Sequence, residues 1–130
     1  SVADMVYKEE MPAWQEVEGV RVVRTVDPGG EAEGWDGEVG LLPKVFEELA
    51  LDPNNRIVVA CGPPVFYKFM LEKLVGLGFG KNRIFLSLER RMECGIGKCG
   101  HCAVGYTFTC LHGPVFSYWD AINLPELIYQ

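Results

Sequence analysis

Four cysteines fall between positions 94 and 110 in the spacing C-x4-C-x2-C-x7-C: Cys94, Cys99, Cys102 and Cys110. Thiolates bind soft metals. Three on one loop, with a fourth returning from a nearby turn, is a spacing that holds a [2Fe–2S] cluster, a one-electron carrier. Gly95, Gly97 and Gly100 lie between them. Glycine reaches positive φ and leaves bare backbone beside a cluster, where N–H groups can point at sulfur and help set its potential.

Other chemistries fit these cysteines less well. A zinc ribbon wants two C-x2-C knuckles, and the chain has one, Cys99-Gly-His-Cys102. A Rieske centre needs two histidine ligands, and His101 and His112 lack the paired spacing. A disulfide framework belongs to secreted chains, and no secretory signal is present. Zinc remains the rival: a structural or interaction module without redox activity. Gly95-x-Gly97-x-x-Gly100 matches a dinucleotide fingerprint by letter, but a cysteine interrupts it and no helical pattern follows.

The elements that must position this loop are those of an α/β domain. Residues 1–17 read as helical, with Ser1 and Asp4 as a capping pair and Pro12 as a break or restart. The run 20–26, V-R-V-V-R-T-V, reads as a strand and 41–51 as a helix. Ile57 to Cys61 is a continuous apolar run, the pattern of a strand covered on both faces. A helix follows, with Val65, Phe66, Phe69, Met70 and Leu74 as its core stripe, ending at Gly76 or Gly78. Residues 84–88 form the next strand and complete a βαβ unit. Beyond the cysteines, 106–110 and 115–116 suggest a hairpin about Gly113-Pro114, and 120–127 a helical turn. The expected architecture is therefore a partial parallel, doubly wound sheet over residues 1–90, with a [2Fe–2S] loop or hairpin over 91–130.

In such a sheet ligands bind beyond the carboxyl ends of the strands. Cys61-Gly62-Pro63-Pro64 stands at one of these ends. Gly62 lets backbone approach a ligand, and the start of the following helix can attract a phosphate. A plain strand-to-helix connection explains the same residues. Cys61 lies too far from Cys94 in sequence to be counted as a cluster ligand.

Composition narrows the field. The 130 residues carry a net charge of −6, with no basic stripe for nucleic acid. No apolar run is long enough to span a membrane. Five cysteines without an export signal point to a reducing, cytoplasmic setting.

Cys61-Gly-Pro-Pro64, together with Ser87-Leu-Glu89-x-x-Met92-x-Cys94-Gly-Ile-Gly-Lys-Cys99-Gly-His-Cys102 and Gly113-Pro-Val-Phe116, resembles the flavin-dependent electron-transfer subunits of the ferredoxin–NADP reductase superfamily. The sulfhydrogenase gamma subunit type is the best match, with the dihydroorotate dehydrogenase electron-transfer subunit related. The resemblance covers nearly the whole chain; Tyr7-Lys-Glu-Glu-Met-x-x-Trp14 and Trp35-x-Gly37 belong to it.

This resemblance implies that Cys94, Cys99, Cys102 and Cys110 hold a [2Fe–2S] cluster. It also implies that Cys61, Gly62 and Pro63 lie near the nicotinamide of NAD(P)H, and that Glu89 faces the flavin–nicotinamide junction. Electrons would pass to a redox partner subunit of hydrogenase, dehydrogenase or reductase type. The matching residues begin after the family's second strand, so the chain corresponds to the carboxyl-terminal half of such a subunit. From that follow weak NAD(P)H binding, no FAD held by this chain, no catalysis by the chain alone, and sheet edges open to a homodimer.

Overall fold

A strand persists only where a neighbour pairs with it, and this rule divides the chain's β-rich runs into long and vestigial strands. The computed structural model describes residues 1–124. These fall into two compact units, Ser1–Ala50 and the one that begins at Leu51.

In the first unit the expected helix over 1–17 is two short pieces: a 3₁₀ turn at Val2–Asp4 and α1 at Met11–Gln15. Tyr7, at φ 56°, interrupts the helical path between them. Neither piece contains a buried residue, so no packing supports a longer helix. Ser1 and Asp4 do pair, the serine hydroxyl donating to the carboxylate at 2.6 Å, and Pro12 sits in the first turn of α1. The expected strand over 20–26 shrinks to β1 (Thr25–Val26), parallel to β2 (Glu38–Val39). Val20 and Val23 stay exposed. Arg24 fastens the intervening loop. Its guanidinium donates to both oxygens of Asp36 at 2.7 Å and lies 5.2 Å from the centre of the Trp35 ring. Helix α2 (Leu42–Glu48) follows and buries Val45.

The second unit holds the βαβ core. Strand β3 (Val58–Cys61) leads through Pro63 into α3 (Pro64–Gly76), and β4 (Ile84–Ser87) lies parallel to β3 in the register Cys61↔Ser87. A glycine-ended cap closes α3: Phe79 N–H reaches back to Leu74 C=O, Gly78 N–H reaches Val75 C=O, and Gly78 takes φ 92°. The glycine run at 76–80 therefore ends a helix and is not a phosphate loop. The core consists of Ala60, Ile84 and Leu86 from the sheet against Tyr67, Met70, Leu71 and Leu74 of α3.

Two expectations change here. Met70 and Leu74 of the expected stripe are buried and Phe66 is half-buried, but Val65 and Phe69 are exposed and Tyr67 and Leu71 are buried, so the covered face is centred to one side of that stripe. And β3 is not covered on both faces: Ile57 is 67% and Val59 70% exposed, because among the described residues α3 covers only the side bearing Ala60.

The cysteine loop leaves β4 and contains the hairpin β5 (Ala103–Val104) and β6 (Thr107–Phe108), turned at Gly105. A short helix α4 (Thr109–His112) leads into β7 (Val115–Ser117). The expected pairing of 106–110 with 115–116 is replaced by another: β7 lies antiparallel to β4 and completes the order β3-β4-β7. Phe116 explains the choice, since it can be buried opposite Leu86 only on the sheet. Helix α5 (Tyr118–Ala121) is capped by Ser117, whose hydroxyl oxygen accepts from Asp120 N–H at 3.2 Å; residues 125–127 of the expected helical turn lie outside the described residues. The α/β class and the partial parallel sheet are as the sequence suggested.

Candidate metal centre and adjoining cleft

The four cysteine thiols converge as two pairs. Cys94 lies close enough to Cys99, and Cys102 to Cys110, for each thiol to influence its neighbour's ionisation, and Cys110 is further affected by Cys94. The glycines make this convergence local. Gly95, Gly97 and Gly100 all take positive φ, 70°, 70° and 81°. The loop thereby curls around Cys94, whose sulfur accepts N–H groups from Ile96, Lys98 and Cys99 at 3.4–3.5 Å.

These donors favour thiolate. The backbone N–H groups of Ile96, Cys99 and Lys98 hold Cys94 below the ordinary thiol range. The His101 N–H does the same chiefly for Cys99, and the Cys110 N–H for Cys102. Cys110 moves the other way, raised chiefly by the neighbouring Cys102 thiol and then by burial. Cys99 is exposed and Cys102 buried, so the site has a solvent side and a protein side. Thr109, fully buried, braces the inner side; its N–H and its hydroxyl both donate to Cys102 C=O at 3.1 Å.

Two thiol pairs with inward N–H groups suit a two-iron cluster better than a single tetrahedral ion. A smaller donor set, Glu93, Cys99 and His101, brings its ligand atoms within 4.8 Å of one another on the surface. It uses only one of the four clustered cysteines. Glu93 is already engaged by Arg91 and by His101 Nδ1, each at 3.2 Å.

Cys61 stands apart from the four, at the end of β3. Together with Gly62, Pro63, Pro64, Tyr67, Leu88, Glu89, Arg90 and Val104 it lines a cleft of about 370 Å³. The structure thus gathers Cys61, Gly62, Pro63 and Glu89 around one space. Tyr67, Leu88 and Val104 were missed in the sequence. Tyr67 was hidden because it lies just outside the apolar stripe that the helical spacing marks, although Met70 and Leu74 of that stripe share its buried face. Val104 was hidden because nothing in a two-residue strand marks it. The Tyr67 hydroxyl accepts Gly62 N–H at 3.1 Å and donates to Ser87 C=O. Burial raises the Tyr67 pKa above the usual phenol value.

The start of α3 is a poor anion hook. Pro63 and Pro64 have no N–H, Gly62 N–H is taken by Tyr67, and Phe66 N–H goes to Pro63 C=O at 2.9 Å. Of the two readings of this turn, a phosphate hook and a plain strand-to-helix connection, these contacts favour the second.

Residues 1–72, more than half the chain, match the family described as the oxidoreductase NAD-binding domain. The chain belongs to that NAD-binding oxidoreductase family. Within it, residues 89–122 match the iron–sulfur cluster binding domain of dihydroorotate dehydrogenase B, so all four clustered cysteines fall in an iron–sulfur segment. Sulfhydrogenase 1 subunit gamma of Pyrococcus furiosus is 39% identical over 96% of this chain and 44% of its own length. A probable dihydroorotate dehydrogenase B (NAD(+)) electron transfer subunit of Thermoplasma volcanium is 32% identical over 95% of this chain and 43% of its own length. A solved structure of an NADH-dependent reduced ferredoxin–NADP oxidoreductase shares 27% identity over 74% of this chain and 36% of that one, with a TM-score of 0.48. The chain spans less than half the length of the curated relatives it matches.

Proposed function

We propose that this NAD-binding oxidoreductase chain carries single electrons through a [2Fe–2S] cluster on Cys94, Cys99, Cys102 and Cys110. It would do so as part of a flavin-dependent subunit that links NAD(P)H to a redox partner subunit. The observation that carries the reading is the convergence of the four thiols in two pairs, with backbone N–H groups aimed at their sulfurs. When bound, the cluster supplies a one-electron step. The chain's own residues do the rest. The glycine turns aim N–H dipoles at sulfur, which favours the anionic ligands. The buried Cys102–Thr109 contact anchors the inner side, and the exposed Cys99 leaves an outer side open toward a partner.

In the same reading, the cleft over Cys61, Gly62, Pro63 and Glu89 receives the nicotinamide end of the nucleotide. A hydride carries two electrons and the cluster takes one, so the pair must be split by a flavin, which we assign to another part of the assembly. A reducing, cytoplasmic setting suits five free cysteines.

The test is the visible spectrum of anaerobically purified protein, with iron and sulfide analysis. Cys94→Ser, Cys99→Ser, Cys102→Ser and Cys110→Ser should each bleach or alter the chromophore, and Cys61→Ser should leave it intact. A colourless protein holding one zinc per chain would establish instead a zinc-binding structural or interaction module without redox activity. Alone, the chain should not oxidise NADH or NADPH with a dye; stoichiometric flavin in the purified chain would overturn the division of labour.

A further inference from the structure

Strand β4 shows where a backbone bond is missing. Its residues alternate in direction: Leu88 N–H donates to Pro114 C=O on the β7 side at 2.9 Å, so the Ser87 N–H and C=O face β3. The register Cys61↔Ser87 then makes Gly62 N–H the natural ladder partner of Ser87 C=O. The Tyr67 hydroxyl stands between them. It accepts from Gly62 N–H and donates to Ser87 C=O, so one direct bond is replaced by two through an inserted oxygen. The ring that delivers the hydroxyl is 2% exposed and held in the core of α3. The cleft adjoins this point, lined by Cys61 to Pro64 after β3 and by Leu88 to Arg90 after β4.

We infer that Tyr67 is a positioning residue that sets the width of this cleft by wedging its hydroxyl between the ends of β3 and β4. The inference rests on the reading of the cleft as the nucleotide site. Tyr67 touches the turn and not the reacting atoms. Its part is to hold the Cys61–Gly62 wall and the Leu88–Glu89 wall at a fixed separation.

The variant is Tyr67→Phe, which keeps the ring and removes the oxygen. NADH and NADPH are titrated into wild-type and variant chains, and amide exchange is followed by mass spectrometry. A peptide over residues 61–66 is informative because its prolines carry no amide, leaving Gly62, Val65 and Phe66 to report. The inference expects faster exchange in that peptide alone, an unchanged cluster spectrum, and nucleotide binding weakened about tenfold from the loss of two hydrogen bonds. Unchanged exchange, or unchanged affinity with normal wild-type binding, would overturn it. Collapse of the cluster spectrum and far-ultraviolet signal would overturn it too, since it gives the hydroxyl a local role only. If the wild-type chain binds neither nucleotide, the reading of the cleft fails, while the exchange measurement still decides the wedge.

Discussion

A methyl group at Gly97 has nowhere to go. A Cβ built there would lie 2.3 Å from Leu111 Cδ1, and the backbone already stands at φ 70°. The same residue's N–H favours the Cys110 thiolate, so steric and electronic demands meet at one residue. Gly95 shares the φ of 70° but faces open space. Alanine at either position pays the left-handed penalty of roughly 1–2 kcal/mol; only Gly97→Ala must also displace Leu111. Iron and sulfide content should therefore fall further in Gly97→Ala than in Gly95→Ala, and Leu111→Ala should recover part of the loss in the double variant. Equal losses in the two single variants would mean that backbone strain alone governs the loop. The sequence made these glycines visible as a group. It could not separate them, because the difference lies in a contact with a residue fourteen positions away.

At the scale of elements, the βαβ unit was legible and the orientation of α3 only in part. The apolar run before Cys61 and the glycines after Leu74 marked both ends of α3, since a buried strand and a glycine cap each have a local signature. Met70 and Leu74 were read correctly as core, but the rest of the buried face escaped because α3 is apolar on more than one side: Val65 and Phe69 match the helical period as well as Tyr67 and Leu71 do. Stability measurements separate the two faces. Leu74→Ala, at a side chain with no exposed surface, should destabilise by about 2–5 kcal/mol. Phe69→Ser should stay within about 0.5 kcal/mol, as exposed substitutions do. Denaturant midpoints read both, and a large loss at Phe69 would show that its exposed face is covered in solution. The short strands were illegible for a different reason. Thr25–Val26 and Ala103–Val104 are strands only because a partner happens to lie beside them, and two residues are too few to show a periodicity.

Across the whole molecule, the sheet ends abruptly at β3. Among the described residues β3 pairs with β4 alone, and its outer face presents Ile57 and Val59. An open edge beside an apolar face recruits another strand, so the isolated chain should self-associate through β3 as a homodimer. Light scattering should report a dimer that Val59→Lys returns to monomer; a monomeric wild-type chain would remove β3 as an interface. The other edge of the sheet is β7, which returns after the last cysteine and pairs with β4 from Phe85 to Ser87. The entire cysteine loop is thus tethered at a common base, like a purse held at its drawstring. Closing a loop has an entropic cost that grows with its length, and here the sheet meets that cost before any iron arrives. A chain stripped of its metal would therefore keep its four thiols at high local concentration. Reconstitution would become a local rearrangement within an already folded unit, so that repair after oxidative loss could proceed without the protein unfolding.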